Sequence, residues 1–403
     1  MAELGLVSAG AVAVADGRIV ATGTTSEIRR ALSASREIDA GGRVVLPGLV
    51  DAHTHLVFAG SRQDEFERRI GGATYLEIMA AGGGIMSSVR ATRSASLEEL
   101  IDQALPRLQR MLAHGTTTAE AKTGYGLNTA DEVKSLQAIR RLNASQPIEL
   151  VPTFLGAHAV PEEYAGRDDD YVELIVKEML PAIAKAAPPP APGRPGLFCD
   201  VFCDDGAFTL EQTRRILSAA GALAMPLKVH ADEFAHLGAA RLAAELGAIS
   251  ADHLLRTPPE DVAAMASAGV MAVLLPGTPF GLGLHEYADA RAMIAAGLPV
   301  ALGTDLNPGT CYCESLPMMM ALACRYMRMT PAEALAACTV NAACAIGCGA
   351  DLGRLQAGYA ADLLILDTDD YRQLAYHFGS SLVQTVIKRG QVVFESPQAW
   401  KRT

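Results

Sequence analysis

Aromatic residues are scarce in this chain of 403, which holds one Trp, ten Tyr and ten Phe. With Ala and Gly abundant instead, the composition suits many helices packed closely on strands. Long hydrophobic runs are missing too. No apolar stretch approaches the ~20 residues needed to span a bilayer. The first residues lack the basic-then-apolar pattern of a secretory signal, so a soluble cytoplasmic protein is expected. Positive charge is in short supply: 34 Lys and Arg against 45 Asp and Glu leave a formal charge of −11. With no Lys/Arg-rich run carrying interleaved aromatics, nucleic acid and anionic membrane surfaces are poor partners. A small anionic substrate stays open, because one Arg can capture a carboxylate. The eight cysteines include no CxxC pair. Cys311 and Cys313 have no second pair at zinc-site spacing, so all eight read as reduced thiols. No glycine-rich dinucleotide loop follows an apolar run, and Gly82-Gly83-Gly84 reads as a turn.

What is present is a long alternation of strand and helix signals. Candidate strands cover 46–54, 116–122, 148–157, 199–204, 226–232, 248–253, 270–275 and 299–305. Helical stretches lie between and after them at 97–113, 129–144, 168–187, 210–224, 237–247, 259–268, 286–296 and 331–346. Repeated βα units imply a parallel sheet with helical crossovers. Eight of them predict an α/β fold of the TIM type, a (β/α)8 barrel over 46–354; a doubly wound open sheet is the alternative. Residues 1–45 carry an Asp16-Gly17 hairpin signal. Residues 355–403 carry two or three further strand patterns. Neither end suffices for a sheet alone, so a small β-sandwich domain built from both termini is expected. The Pro-rich stretch 188–195 reads as a surface loop.

The chemistry concentrates where apolar runs end. His53 and His55 follow Val50 at i, i+2 spacing, so both imidazoles can face one metal ion from a strand end. His230, His253 and Asp305 end three later runs. Three imidazoles and a carboxylate suit Zn²⁺ or Fe²⁺ better than Mg²⁺ or Ca²⁺. Glu233, three residues past His230, can overhang such a site and exchange protons. His253 either stabilises an oxyanion or ligates the metal. Asp232 and Asp252, each next to a candidate His, read as structural because strand neighbours face opposite sides. Lys122 reads as paired with Glu120 rather than bridging two metals, which leaves one ion.

These residues resemble the amidohydrolase superfamily and, within it, the imidazolonepropionase family. The resemblance runs over nearly the whole chain. It is carried by Pro47-Gly48-Leu49-Val50-Asp51-Ala52-His53-Thr54-His55 through Arg62, by Lys122-Thr123-Gly124-Tyr125-Gly126-Leu127 and by Phe154-Leu155-Gly156-Ala157-His158. It continues in His230-Ala231-Asp232-Glu233, Leu274-Leu275-Pro276-Gly277-Thr278 and Gly303-Thr304-Asp305-Leu306-Asn307-Pro308-Gly309. It implies ring-opening hydrolysis of 4-imidazolone-5-propanoate in histidine degradation. By that resemblance His53, His55, His230 and Asp305 hold one Zn²⁺ or Fe ion per chain. Glu233, His253 and Asp305 are catalytic. Arg62, Tyr125, His158, Glu233, Asn307, Gly309 and Thr310 bind substrate, and a homodimer is implied. Two departures stand out. The chain starts at Met1-Ala2-Glu3-Leu4, where family members usually have another strand, so the small domain is expected to lack an edge. Leu306 replaces a common aromatic. Rival readings are a deaminase or other cyclic-amide hydrolase, against which Arg62 with Tyr125 argues, and a non-catalytic relative, against which the intact set of histidines and carboxylates argues.

Overall fold

The computed structural model describes residues 3–73, 77, 82–190 and 194–397. It opens with an antiparallel hairpin, Gly10–Ala15 (β1) and Arg18–Thr24 (β2). Its turn has φ of 51° at Asp16 and 73° at Gly17. Positive values at both positions are what a two-residue hairpin turn of this twist requires. The run 46–54, expected as one strand, divides at Gly48 into Val45–Pro47 (β3) and Leu49–Asp51 (β4). A Cβ on Gly48 would lie 2.2 Å from Thr117 Oγ1. Only glycine therefore lets the chain pass between two sheets there.

β4 begins a sheet of eight parallel strands. The others are Thr116–Lys122 (β5), Glu149–Ala157 (β6), Phe198–Cys203 (β7), Lys228–Ala231 (β8), Ser250–His253 (β9), Met271–Leu274 (β10) and Val300–Leu302 (β11). They neighbour one another in sequence order from β4 to β11. The ring closes just past the strand ends, where Thr54 bridges Leu306 in parallel. There the Asp305 N–H donates to His53 O and the His55 N–H to Leu306 O, each at 2.9 Å. This is the expected (β/α)8 barrel. Its closure draws the first histidines and the last carboxylate to one rim.

The termini supply a second sheet. Leu363–Leu366 (β12), Val383–Lys388 (β13) and Gln391–Glu395 (β14) pair antiparallel, and β3 joins at the β12 edge. β3 thus lies in the small sheet, two residues beyond the boundary expected at 45. Ile19 of the hairpin packs with Ala361, Leu363 and Ile387, which fastens the β1–β2 layer onto the four-stranded one.

The helices follow their caps. Ser96 with Glu99, Thr209 with Gln212 and Thr330 with Glu333 form capping boxes that start three of them. The stretch expected as one helix over 168–187 is interrupted by a π turn at Ile175–Met179. Pro181 has no N–H to give Lys177, and the helix widens instead. The stretch 331–346 breaks into Pro331–Ala337 and Val340–Ala345. That expected at 286–296 shortens to Ala290–Ala295, capped by Asp289. Among the described residues, the α-helices Thr25–Ala31, Gln63–Ile70, Ile85–Ser94, Gly277–Leu282, Leu316–Tyr326 and Gln373–Tyr376 lie outside the expected helical stretches. In the Pro-rich stretch, 191–193 lie outside the described residues, and 188–190 are not helical. Among the described residues no helix is long and apolar enough to cross a membrane. All eight cysteines are free thiols.

Candidate active site

Four candidate donors meet at the barrel rim. His53 Nε2 and His55 Nε2 are 3.2 Å apart, and His55 Nε2 is 3.4 Å from His230 Nε2. Asp305 Oδ1 lies 3.4 Å from both His53 Nε2 and His55 Nε2. Four ligands at ~2.0–2.1 Å from a tetrahedral ion are separated by ~3.3–3.4 Å. These four spacings match that separation. The ligand atoms of His53, His55 and His230 lie within 4.8 Å of one another, and Asp305 groups with His53 and His253, so His253 stands beside the same cluster. Burial holds His55 below its ordinary pKa and His230 well below it. Both rings are thus in the neutral form that ligates metal. Burial alone would raise the Asp305 carboxyl; the adjoining His53 and His55 rings outweigh it and keep Asp305 well below the usual carboxylate range.

A second layer orients the rings. His53 Nδ1 lies 2.6 Å from Asp252 Oδ2, and His230 Nδ1 lies 3.0 Å from Asp200 Oδ2. The Asp252 carboxylate fixes the His53 tautomer, leaving Nε2 free for metal, while Asp200 approaches His230 Nδ1 without hydrogen-bond geometry. Asp252 is therefore not peripheral, as strict strand alternation suggests. His253 has φ of 78°. This left-handed residue twists the chain at the strand end, so that Asp252 and His253 both face the site. Asp232, expected to be structural, accepts from Thr257 Oγ1 at 2.8 Å. Beneath lies a buried charge network. Lys122 Nζ is 2.6 Å from Asp200 Oδ2 and 2.9 Å from Glu120 Oε2. Lys228 Nζ is 2.9 Å from Glu120 Oε1. The structure thus pairs Lys122 with Glu120, as its sequence context suggests, and with Asp200 as well. Asp51, held by the Thr304 N–H and Oγ1, is pushed up to about 6 by burial.

The candidate proton-handling groups overhang this floor. Glu233 is buried, and His253 Nε2 is 3.5 Å from its Oε2. Burial first, then the nearby carboxylates of Asp305 and Asp204, push Glu233 well above the usual carboxylate range. Burial also brings His253 down to about 4, so its ring is neutral.

The substrate-binding candidates line one side. His158 stacks on His55 with ring centroids 4.9 Å apart. Its Nδ1 lies 3.0 Å from Gly124 O. Nδ1 therefore carries the hydrogen and Nε2 is an acceptor. Burial drops its pKa to about 3. Tyr125 sits 5.3 Å from His158 by ring centroid. Burial raises its phenol pKa, with Arg62 and Asp305 acting on it in opposite senses. Arg62 gives Nε and Nη2 to Glu65 Oε2 at 2.9 and 2.8 Å. Its guanidinium lies against Gly309, where a Cβ would stand 2.2 Å from Nη1. Asn307 is at the rim, but its amide is engaged by its own loop. Nδ2 donates to Asp305 O and Thr310 Oγ1, and Oδ1 accepts the N–H groups of Gly309 and Thr310, all at 2.7–2.9 Å. Asn307, Gly309 and Thr310 thus shape the floor under Arg62.

Several residues around the site carry no signal in the sequence. Glu132 gathers the N–H groups of Gly124, Gly126 and Leu127 at 2.8–3.1 Å and so holds the Tyr125 loop. Arg107 donates to Leu56 O and Phe58 O at 2.8 and 3.0 Å, fixing the segment between His55 and Arg62. Each acts on a distant backbone, which no local motif reports.

A closed parallel barrel with three histidines and an aspartate at its rim defines the class of metal-centred amidohydrolases, and residues 44–393 match the Amidohydrolase family. Residues 10–32 match the Imidazolonepropionase-like composite domain, bacteria. The imidazolonepropionase of Chloroflexus aggregans is 56% identical over 399 residues, 98% of this chain and 92% of that protein. That of Symbiobacterium thermophilum is 50% identical over 407 residues, 100% of this chain and 94% of its own. Among solved structures, 5-methylcytosine deaminase from Klebsiella pneumoniae superposes with a TM-score of 0.73 at 18% identity, over 96% of this chain and 94% of that one. Atrazine chlorohydrolase from Arthrobacter aurescens, complexed with zinc, gives 0.68 at 21% identity, over 95% and 90%. These two share the fold. The chain belongs to the amidohydrolase family and, within it, to the imidazolonepropionases.

Proposed function

We propose that this chain hydrolyses 4-imidazolone-5-propanoate to N-formimidoyl-L-glutamate, opening the ring in histidine degradation. The observation that carries the reading is a buried cluster of His53, His55 and His230 with Asp305 at one barrel rim, together with a guanidinium at Arg62 held between Glu65 and Gly309, the residue after Asn307-Pro308 on the Asp305 loop. The first suits hydrolysis of a carbon–nitrogen bond; the second suits a substrate with a carboxylate tail. Nucleobases have no such tail, which disfavours a deaminase. Relatives named imidazolonepropionase at 46–56% identity support the same reading.

His53, His55, His230 and Asp305 would hold one ion, Zn²⁺ or Fe, whose ligand preferences overlap. When bound, the ion supplies a Lewis acid that polarises the ring carbonyl and acidifies water. The chain's own groups do the rest. Arg62 takes the propionate in a two-point, charge-assisted contact, and Tyr125 donates to the same carboxylate or to the ring. His158 Nε2 accepts from a ring N–H. Asp305 or Glu233 takes the proton of the attacking water. His253 donates to the oxyanion that forms on the ring carbonyl carbon. Glu233 then delivers its proton to the departing ring nitrogen as the carbon–nitrogen bond breaks. A homodimer in the cytoplasm belongs to the same reading.

Glu233→Gln tests it. The variant should keep its metal and lose ~10²–10⁴-fold in turnover; near-normal turnover would remove Glu233 from the mechanism.

A further inference from the structure

We infer that Asp204 is a positioning residue for Glu233, an inference that rests on the acid–base role just assigned to Glu233. Asp204 follows β7 and is 2% exposed. Its carboxylate receives four backbone N–H groups. Oδ2 accepts from Glu233 at 2.7 Å and Phe234 at 3.0 Å; Oδ1 accepts from Ala235 at 2.9 Å and from its neighbour Asp205 at 2.7 Å. Three of these donors are consecutive. They form the turn by which the chain leaves β8, beginning at Asp232 with φ of 51°.

That turn decides where Glu233 points. The Glu233 carboxyl has one ion-pair neighbour among the described residues, His253 Nε2 at 3.5 Å. Contacts of its own side chain therefore do little to fix it, and the bonds along its backbone do most. Asp232 pins the far end of the turn through the Leu237 N–H at 3.3 Å and Thr257 Oγ1. Asp204 pins the middle, at Glu233 itself. A group that moves protons must stay within hydrogen-bond reach of them, and a displacement of ~1 Å costs ~10²-fold in rate. Asp204 acts from the neighbouring strand end on backbone atoms and needs no contact with substrate. Two adjacent strands of the barrel thereby cooperate, β8 carrying the acid and β7 its anchor.

A double-mutant cycle separates positioning from mere structural support. Asp204→Asn keeps the side-chain shape but turns one acceptor oxygen into a donor group, so one of the two N–H pairs, Glu233 with Phe234 or Ala235 with Asp205, loses its acceptor and the turn is no longer held at all three consecutive residues. It should lower kcat ~100-fold with KM within about threefold and metal content equal to the parent. Introduced into Glu233→Gln, the same change should cost no more than about threefold further, because the group it positions is already gone. Asp204→Glu, which restores a carboxylate on a longer arm, should recover about tenfold over Asn. Should Asp204→Asn fail to fold, Asp204→Glu carries the cycle, with the same split between kcat and KM expected. Losses that multiply across the cycle, or kcat in Asp204→Asn within threefold of the parent, overturn the inference while leaving Glu233 in place. Near-normal turnover in Glu233→Gln alone would instead show that the acid–base reading itself is wrong.

Discussion

Gly309→Ala is the most incisive small change in the site. The added methyl would lie 2.2 Å from Arg62 Nη1 and 2.8 Å from Cζ, against the 3.4 Å of ordinary contact. The obstructing atoms are the end of a flexible side chain. The guanidinium therefore retreats by ~1 Å to restore van der Waals spacing, and the loop stays intact. The two side chains of the Arg62–Glu65 pair are each 16% exposed. The pair is mostly buried, but a ~1 Å shift leaves the Glu65 carboxylate within reach of the guanidinium, so no charge is left unpaired. The fold should therefore lose under ~1 kcal/mol. Substrate binding loses more. A hydrogen bond to a charged group contributes ~1.5–3 kcal/mol, and a shift of ~1 Å forfeits most of it. Converted at ~1.4 kcal/mol per tenfold, KM should rise about 10- to 100-fold. The propionate is remote from the bond that breaks, so kcat should stay within a few-fold. Steady-state loss of imidazolone ultraviolet absorbance, with the thermal midpoint in parallel, reads both quantities. A KM within twofold of the parent in a folded protein would refute the placement of the substrate carboxylate at Arg62.

Three other perturbations probe the layers beneath. Asp252→Asn should weaken metal binding ~10–100-fold by freeing the His53 ring, as competition with a chelator would show; unchanged affinity would deny Asp252 that role. Lys122→Met should destabilise the fold by ~3–5 kcal/mol, because Glu120 and Asp200 lose their shared cation; a denaturant midpoint equal to the parent's would contradict this. His158, held down to about 3 by burial, stays neutral in the fold while the unfolded chain protonates it below about 6.5. The unfolded state then binds the extra proton, so stability falls as pH drops through that window, by up to ~1.4 kcal/mol per pH unit from this residue. Denaturant midpoints between pH 7 and pH 5 should fall less steeply in His158→Asn than in the parent, and parallel curves would count against a buried neutral imidazole.

The candidate metal donors were legible in the sequence because the barrel repeats one rule: a strand ends and its last polar residue faces the rim. His53, His55, His230 and Asp305 obey it, and the structure gathers them at spacings of 3.2–3.4 Å. Asp252 escaped because alternation along β9 fails where His253 turns to positive φ. Asp200, Asp204 and Glu132 escaped for another reason. Each carboxylate serves backbone or rings contributed by a different segment, and such pairing has no local signature. The single strand read over 46–54 concealed a change of sheet at Gly48, where crowding by Thr117 decides the path. Asn307 shows the opposite limit: its place near Asp305 was clear, yet its amide is occupied by the turn it builds.

The central claim is that this pocket opens an imidazolone ring whose carboxylate tail is held by Arg62. It is tested most directly by giving the metal-replete protein 4-imidazolone-5-propanoate and following the ultraviolet absorbance. Rapid loss with N-formimidoyl-L-glutamate as product, collapsing in Arg62→Ala, is the predicted result. Stable absorbance in the metal-replete protein, or equal rates with and without the Arg62 guanidinium, would contradict it.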